Sequence, residues 1–574
     1  MNKRFMQGAL IVAAASALAA ATFVGKVAAD DDHHDNFDRF EFAPGTLVLS
    51  RTVYVGTAST VTVGETLPRG CAGGANGSTV VAVPTTTPNT TTNVTVPCGI
   101  ASDNGEFPNL SDSHNVWNNS GSDGSFGVTS PIFLDNLTTD GFRIGTLPIP
   151  SDSIVTSFSS KSELALNRSI DGRSITFMAY QGGPGCGGFP VSPTAPNLID
   201  VSASNTPAIC DPTNSVISSF VSTPVVPTAY YRAVAEVDAG GHIGITDGNA
   251  FSGDNGRAAI KGANGLYYMV GNDNSGNLSK KQLPITPIGI DLINATGSET
   301  LVPGQAPPVP PNVGMIGRLQ FGTDKPGKDT NFRGMTIFNN TLYITKGSGG
   351  NGINTVYQVG STGVLPTGTA AQLATVPITI LPGFPNTAAS TSTAFPFGIW
   401  FANANTLYVC DEGDGALVTP AVNGNVADAQ SLATAGLQKW SLVNGTWTML
   451  YVLQDGLNIG VPYGVPNYPT SLNPATGGCR NITGQANRDG TVTVYAVTST
   501  ISANGDQGAD PNKLVRVSDI LSATTLPTPG NDRDWDPSIG HFFTLRTAQA
   551  GEVFRGIAFA PQDHHGDDDG GFDH

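Results

Sequence analysis

The chain repeats a pattern of two short apolar segments separated by a polar turn. In residues 395–415, FPFGIWFANANTLYVCDEGDG, the second apolar segment ends at an acidic, glycine-rich exit. Short apolar runs bounded by turn residues predict paired β-strands. The pattern begins five more times, and the last copy ends after its first strand; these starts are Ser162, Asn255, Phe332, Cys479 and Val553.

The repeats predict an all-β fold of the β-propeller type over residues 43–562. Further strand-like pairs follow the starts, for example YYRAVAEVDAGGHIGITD and AGLQKWSLVNGTWTMLYVLQ, so that each copy supplies four strands, which is one propeller blade. Insertions rich in Pro, Thr and Asn, such as 184–230 and 282–315, account for the irregular spacing. The count predicts six blades, with seven as the alternative; a sandwich or a two-domain all-β protein is the alternative fold.

The truncated last copy predicts how the ring closes. A propeller removes exposed strand edges when one blade takes strands from both ends of the chain. The C-terminal segment FRGIAFAP would be completed by GTLVLSRTVYVG and by SPIFLDNLTTDGFRIGTLPIP from the N-terminal region. We therefore expect the N-terminal and C-terminal strands to share one blade.

Segment 395–415 resembles the NHL-repeat pattern, in which a Pro-x-Gly-Ile strand, a turn and an LYVAD-like strand form the inner half of a blade. The segment FRGIAFAP is similar to the same pattern. The resemblance extends to the gluconolactonase and strictosidine synthase group of six-bladed propellers, and the whole chain resembles a group of uncharacterised secreted bacterial propeller proteins. For the gluconolactonase group it implies a divalent cation at the channel, held by acidic and amide side chains on inner strands.

The residue that leads the inner strand is arginine in four of the six copies. Innermost strands run beside the central channel of a propeller, so these residues are predicted to converge at one of its mouths. Arginine offers a planar fork of donors that suits carboxylate or phosphate groups better than a metal, which departs from the gluconolactonase pattern. The six lead residues are Glu163, Arg257, Arg333, Phe397, Arg480 and Arg555, and Lys346 lies at the end of a second strand.

Two functions are compatible with these residues. The first is a non-catalytic binding or scaffold module whose channel mouth takes an anionic small molecule or a protein partner. The second is a secreted hydrolase of an anionic ester, lactone or phosphate, with Asp411, Glu412 or Asp414 as the general base. The same carboxylates could instead pair with the arginines and join neighbouring blades. No serine-elbow, zinc-helix, haem-attachment or phosphate-loop motif occurs, which favours the binding module.

Composition and the first residues predict an exported protein, secreted or periplasmic. Lys3 and Arg4 precede an alanine-rich apolar run and a small-residue cleavage pattern, so residues 1–29 are predicted to be a signal peptide. An uncleaved membrane anchor is the alternative, and we expect no membrane span after cleavage. The 70 Gly and 40 Pro, with only 13% charged residues, favour many short strands and turns.

Six cysteines agree with export, because disulfides persist in oxidising compartments. Fifteen connectivities are possible. Locality in the sequence favours two pairs that close insertions, and the remaining two cysteines would link neighbouring blades. The predicted pairs are Cys71 with Cys98, Cys186 with Cys210, and Cys410 with Cys479.

Both ends carry short tails of Asp and His, residues 30–42 and 563–574. Imidazole and carboxylate together are usable ligands for zinc, copper or manganese, and two Asn/Asp-rich loops elsewhere have the oxygen-rich composition of calcium sites. A solvated acidic fringe is the alternative. The net charge of -17 disfavours nucleic-acid binding, and we expect a monomer. The candidate metal ligands in the tails are His33, His34, Asp35, His564, His565 and His574.

Overall fold

The computed structural model describes the strand-forming part of the chain. The described residues are 40–54, 129–181, 232–248, 251, 255–272, 290–294, 312–316, 331–347, 352–415, 433–502, 508–527 and 539–563, apart from 152, 159, 162 and 469, with short strands between 66 and 127. All of these belong to one unit of the chain, Phe40–His574. The predicted signal peptide, the metal ligands of both tails, and Cys71, Cys98, Cys186 and Cys210 lie outside the described residues.

The regular secondary structure of the described residues is almost entirely β-strand, as the repeat pattern predicted. The strands are β1 Leu47–Val53, β2 Thr66–Leu67, β3 Ser78–Pro84, β4 Thr91–Pro97, β5 Gly99–Ile100, β6 Asn118–Asn119, β7 Asp123–Gly127, β8 Thr129–Ser130, β9 Ile132–Leu137, β10 Arg143–Pro148, β11 Ile154–Ser157, β12 Asn167–Arg168, β13 Ser174–Gln181, β14 Arg232–Asp238, β15 Ile243–Gly248, β16 Gly256–Lys261, β17 Leu266–Gly271, β18 Ile290–Asn294, β19 Asn312–Ile316, β20 Phe332–Phe338, β21 Thr341–Lys346, β22 Thr355–Val359, β23 Ile378–Ile380, β24 Pro396–Asn403, β25 Thr406–Asp411, β26 Gly436–Val443, β27 Thr446–Leu453, β28 Ala475–Ala486, β29 Thr491–Ile501, β30 Lys513–Ile520, β31 Phe543–Thr547 and β32 Glu552–Phe559.

Helical structure in the described residues is limited to short turns in connections. The α-helix α1, Ala370–Leu373, is capped by Thr369, and the 3-10 turns are Ala389–Thr391 and Thr470–Leu472. In the part of the chain that the structure describes, no helix has the length and apolarity needed to cross a membrane.

The strands form a β-propeller arrangement with five four-stranded antiparallel sheets. Sheet 1 has the order β10-β9-β1-β32, and sheets 3, 4, 5 and 6 run in sequence order as β16–β19, β20–β23, β24–β27 and β28–β31. Sheet 2 has the order β15-β14-β13-β11-β8, with β12 also paired to β13. In sheet 1, β1 pairs with β32 from Leu47 opposite Phe559 to Val53 opposite Glu552, so strands from both ends of the chain lie side by side.

The apolar core is divided into clusters that lie between neighbouring sheets. Each cluster takes buried side chains from two sheets, as when Val356 of sheet 4 and Leu407 of sheet 5 share one cluster. Similar clusters join sheets 1 and 2, 2 and 3, 3 and 4, 5 and 6, and 6 and 1. The short apolar runs of the strands therefore serve face-to-face packing of sheets, in which both faces of a sheet are covered.

Glycines let the first strands of neighbouring sheets approach closely. A Cβ at Gly334 would lie 2.0 Å from the carbonyl oxygen of Phe397, and one at Gly398 would lie 2.3 Å from that of Arg480. Gly556 faces the backbone of residues 164–166 in the same way. Each of these glycines directly follows a lead residue of the repeat, so the pattern needs glycine there because only a residue without Cβ fits against the next backbone.

The Cys410–Cys479 disulfide predicted from the sequence is present. It joins the end of β25 in sheet 5 to β28 in sheet 6, and both cysteines are fully buried. The bond closes a segment of the chain with a sequence separation of 69 residues. It therefore links two neighbouring sheets at the point where their first strands approach.

We predict that Gly398→Ala destabilises the protein by about 1–3 kcal/mol, because the new methyl group meets backbone atoms that cannot move independently. Urea denaturation followed by fluorescence would measure the change. The control is Gly464→Ala, since Gly464 is exposed and a Cβ there meets nothing within 4 Å. Equal midpoints for the two variants would contradict the close approach of the first strands.

We predict that the double variant Cys410→Ala, Cys479→Ala loses about 4 kcal/mol of unfolding free energy, because opening the closed segment restores conformational entropy to the unfolded chain. Denaturation of the variant and of the oxidised parent protein would give the difference. An unchanged midpoint would show that the bond adds nothing to stability.

Candidate functional site

The carboxylate of Glu412 lies at the centre of a group of cationic side chains. Glu412 follows the last residue of β25 and is buried. Arg480 Nε, near the head of β28, donates to Glu412 Oε2 at 3.0 Å, and Arg333 Nε, near the head of β20, lies 4.0 Å from Glu412 Oε1. Two lead residues of the repeat, from sheets 4 and 6, thus meet one carboxylate at the end of sheet 5.

The cations keep Glu412 ionised. Burial alone would raise the pKa of this carboxyl, but Lys161, Arg333 and Arg480 outweigh that effect and lower its pKa to about 2. Glu412 is therefore a carboxylate throughout the physiological pH range. A group held this firmly in its charged form is a weak proton acceptor.

Lys161 is a member of this group that the sequence analysis did not single out. Burial lowers the pKa of its amine to about 8, Glu412 partly opposes that shift, and Arg333, Arg480 and Arg257 add to it. The pKa of Lys161 therefore responds to Glu412 and to the three arginines. We call Lys161, Arg257, Arg333 and Arg480 the cation cluster. The signal in the sequence was its place in FSSKSEL, two residues before the lead residue Glu163.

Arg555 and Glu163 use their charged groups to hold the turn that carries Lys161. The guanidinium of Arg555 donates to the carbonyl oxygens of Phe158 and Ser160. Glu163 accepts hydrogen bonds from Thr156 at 2.8 Å, from Asn255 at 3.0 Å and from Tyr180. These two lead residues, from sheet 1 and from the segment before β12, therefore hold the backbone at Phe158 and Ser160 and bond to the strands beside it.

The remaining residues predicted from the sequence each have their own environment; they are Asp411, Asp414 and Lys346. Asp411 accepts hydrogen bonds from the backbone N–H groups of Phe395 and Gly413 at 2.8 and 2.9 Å and from the side chain of Gln438 at 3.1 Å. Burial raises its pKa to about 7, the backbone donors oppose the shift, and Glu412 and Asp414 add to it. Asp414 is exposed. Lys346 is buried, and its Nζ donates to Asn354 Oδ1 at 3.1 Å.

Phe397, the one apolar lead residue, is buried and has a backbone role. Its carbonyl oxygen accepts a hydrogen bond from Thr345 Oγ1 at 2.6 Å and lies against Gly334. Sheet 4 and sheet 5 are joined there through a main-chain carbonyl and the hydroxyl group of Thr345 instead of through a charged side chain.

The divalent cation implied by the gluconolactonase resemblance does not fit these residues. Among the described residues, no group of three or more His, Cys, Asp or Glu side chains is arranged to hold a metal ion. Arginine occupies most of the corresponding positions, and a guanidinium repels a cation instead of binding it. The arginine side chains at these positions are hydrogen-bond donors with a positive charge, which suits the binding of an anion.

Comparisons with known proteins identify no family for the chain. No protein-family model matches it. No curated protein matches it.

Solved structures show limited similarity. A glucose dehydrogenase crystal structure aligns with a TM-score of 0.30 and 13% identity, covering 64% of this chain and 89% of that one. A protein described as an oxidoreductase (glucose dehydrogenase) from Thermus thermophilus aligns with a TM-score of 0.24 and 12% identity, covering 62% and 88%. A complex of S. cerevisiae Dbp5 with Nup159, Gle1, IP6 and ADP aligns with a TM-score of 0.25 and 9% identity, covering 70% of this chain and 91% of that one. At these scores the similarity carries no argument about the activity of this chain.

Proposed function

We propose that the chain is an exported six-bladed β-propeller that binds a small anionic ligand at the cation cluster. Support for a closed ring comes from contacts between successive first strands: β13 with β16, then β20, β24, β28 and β32, and from β32 back to β12. Asn481 of sheet 6 accepts from Ile557 N of sheet 1 at 2.6 Å and donates to the carbonyl of Leu166, beside β12, at 3.4 Å. Sheet 2 then serves as the sixth blade.

The position of the cluster at the axis of this ring follows from which sheets its members occupy. Lys161 belongs to the segment between β11 and β12 of sheet 2, and Glu412 directly follows β25 of sheet 5. In a ring of six these two sheets are opposite one another, so a charge interaction between them must cross the central channel. Arg257, Arg333 and Arg480 come from sheets 3, 4 and 6, which lie between or beside them.

The excess of positive charge is the observation that carries the proposal. The cluster has four cationic side chains, three of which act on the carboxylate of Glu412, and the four remain in excess when Asp411 and Asp414 are counted as well. The three arginines are buried, where charge is poorly solvated, so an anion that enters gains more than it would in water. Guanidinium forks favour carboxylate or phosphate groups.

The arginines also have a structural role, which the sequence analysis offered as the alternative. The Arg480–Glu412 hydrogen bond joins sheets 6 and 5, beside the Cys410–Cys479 disulfide. A clamp of this kind positions the remaining donors rigidly and is compatible with binding. The residue Lys161 as a whole is less completely buried than the arginines, which are 3 to 4% exposed.

The hydrolase alternative has weaker support from the geometry. Asp411 has a pKa suited to a general base, but its carboxylate oxygens accept two backbone N–H bonds and an amide bond. Glu412 is held ionised by its cations, and Asp414 is exposed. We therefore propose a binding module, for which these carboxylates order the ends of sheet 5.

Export and metal binding by the tails are part of the same proposal. The buried Cys410–Cys479 disulfide supports an oxidising compartment, secreted or periplasmic. The NHL-like segment 395–415 forms β24 and β25, the inner half of sheet 5, which supports the propeller assignment. The Asp/His tails supply imidazoles and carboxylates for zinc, copper or manganese.

We predict that the full-length protein binds citrate in isothermal titration calorimetry and does not bind uncharged glycerol. Arg333→Gln should weaken citrate binding by about tenfold or more, because one charge-assisted hydrogen bond contributes about 1.5–3 kcal/mol. Arg333→Lys keeps the positive charge and should therefore lose less affinity for citrate than Arg333→Gln.

The matched control for this titration is Arg143→Gln, because Arg143 is an exposed arginine on the outermost strand of sheet 1. Its affinity for citrate should equal that of the parent protein. Equal losses in the Arg143 and Arg333 variants, or no binding of citrate by the parent, would remove the proposed anion site.

We predict that sulfate binding weakens as the pH rises from about 6 to about 9. In that range one of the two groups with a shifted pKa loses its positive charge and the other gains a negative charge. Lys161 becomes neutral as the pH passes about 8, and Asp411 becomes negative as it passes about 7. Sulfate keeps its charge over this range, so calorimetry at several pH values reports the protein groups alone. Stronger binding at the higher pH would contradict the assignment of these charges.

A further inference from the structure

A small pocket of about 60 Å³ lies between sheets 4 and 5. None of the described residues that line it belongs to the cation cluster, so what it binds does not depend on the anion site. We call it the sheet 4–5 pocket. Its lining includes Thr355 of sheet 4, Phe384 of the connection after β23, and Pro396, Gln438, Trp440 and Met449 of sheet 5.

The walls of the sheet 4–5 pocket are mostly apolar. The rings of Phe384 and Trp440 stack on each other, with centroids 3.9 Å apart and an angle of 18° between the ring planes. Among the described residues that line the pocket, none carries a formal charge. A charged occupant would lose its hydration there without gaining a partner, so the pocket favours an uncharged one.

One polar group of the pocket residues lacks a partner. Thr355 is the first residue of β22 and is fully buried, and its Oγ1 has no hydrogen-bond partner among the described residues. Buried polar groups are nearly always hydrogen-bonded, to the protein or to a bound molecule, because an unpaired group is unfavourable in free energy. Since Thr355 lines the pocket and its side chain has one rotatable bond, an occupant can bond to this hydroxyl.

The other polar side chains of the pocket are already bonded. Gln438 Nε2 donates to Asp411 Oδ2 at 3.1 Å, and Gln438 Oε1 accepts from Trp440 Nε1 at 2.9 Å. Thr434 Oγ1 donates to the carbonyl oxygen of Thr393 at 2.7 Å. A buried water makes about two to four hydrogen bonds, so one unpartnered hydroxyl suits it poorly. A molecule with one polar group and a compact apolar body would satisfy that hydroxyl and fill the apolar space.

We propose that the sheet 4–5 pocket binds a small uncharged molecule with a single hydroxyl or carbonyl oxygen, which is the chemistry of a short-chain alcohol or ketone. Its oxygen bonds to Thr355 Oγ1, and its carbon atoms lie against the rings of Phe384 and Trp440. The volume of about 60 Å³ holds about four to six atoms of the size of a water oxygen, which sets the size of the ligand. So few atoms give an affinity with a Kd of about 1 mM or weaker.

Methyl NMR of the methionines in the full-length protein tests the proposal, with 2-propanol as the probe. Met449 is exposed and lines the pocket, so its methyl signal reports an occupant. Met178 and Met269 are buried between sheets 2 and 3 and serve as internal references. We expect 2-propanol to shift the Met449 signal in a saturable manner and to leave the reference signals in place. Acetate has the same number of non-hydrogen atoms but carries a charge, so it should not shift the Met449 signal.

Variants of Thr355 test the role of the hydroxyl. Thr355→Val removes it and nearly keeps the shape, so this variant should bind 2-propanol about fivefold more weakly, because a neutral hydrogen bond is lost. Without a ligand it should melt at a higher temperature than the parent protein, because a buried hydroxyl without a partner is removed. Thr355→Ser keeps the hydroxyl and should bind 2-propanol more tightly than Thr355→Val.

The matched control is Thr544→Val, because Thr544 is an exposed threonine on β31 of sheet 6. Its affinity for 2-propanol should equal that of the parent protein. A shift that does not saturate or that is equal for all three methionines would be an effect of the solvent and would overturn the proposal. An equal shift with acetate, or unchanged affinity in Thr355→Val, would overturn it too. A lower melting temperature of Thr355→Val would show that the hydroxyl already has a partner, and the proposal would fail.

Discussion

The first strands of the sheets lie so close together that their backbones are nearly in contact, and the grouping of charged residues around Glu412 depends on that approach. Gly334 and Gly398 each face the carbonyl oxygen of a lead residue in the next sheet. Because the side chains of the lead residues emerge beside these contacts, close packing of the main chains brings their guanidiniums to a common centre. A wider spacing would separate Arg333 and Arg480 from Glu412 and remove the interaction that keeps this carboxylate ionised.

Burying like charges close together is unfavourable in free energy. Two features of the cluster reduce this unfavourable free energy. Glu412 partly neutralises the cations, and Lys161 gives up part of its proton affinity, as its lowered pKa shows. The positive charge that remains in excess is the basis of the proposed anion binding. The disulfide and the hydrogen bonds of Arg555 and Glu163 hold the surrounding backbone, so the proposed binding would need little ordering.

Much of the fold was predictable because the repeat is local. Strand pairs joined by short turns are specified by alternation and turn residues within about 20 positions, and the structure has them at the predicted segments of sheets 3, 4, 5 and 6. The pairing of β1 with β32 was predicted from the truncated last copy, since an unpaired edge strand needs a partner. Cys410 with Cys479 followed from the expected adjacency of successive sheets.

The sequence by itself determined the all-β class, the repeat and the arginines at the heads of the strands. Only the tertiary structure decided what each charged group does, because that depends on distances between residues far apart in the chain. Arg555 and Glu163 have the same place in the repeat as Arg333, yet they hold a turn, whereas Lys161 stands outside the pattern and joins the cluster. Periodicity fixes which residues lead the first strands, but the partner of a charge is set by packing between sheets, which no local pattern encodes.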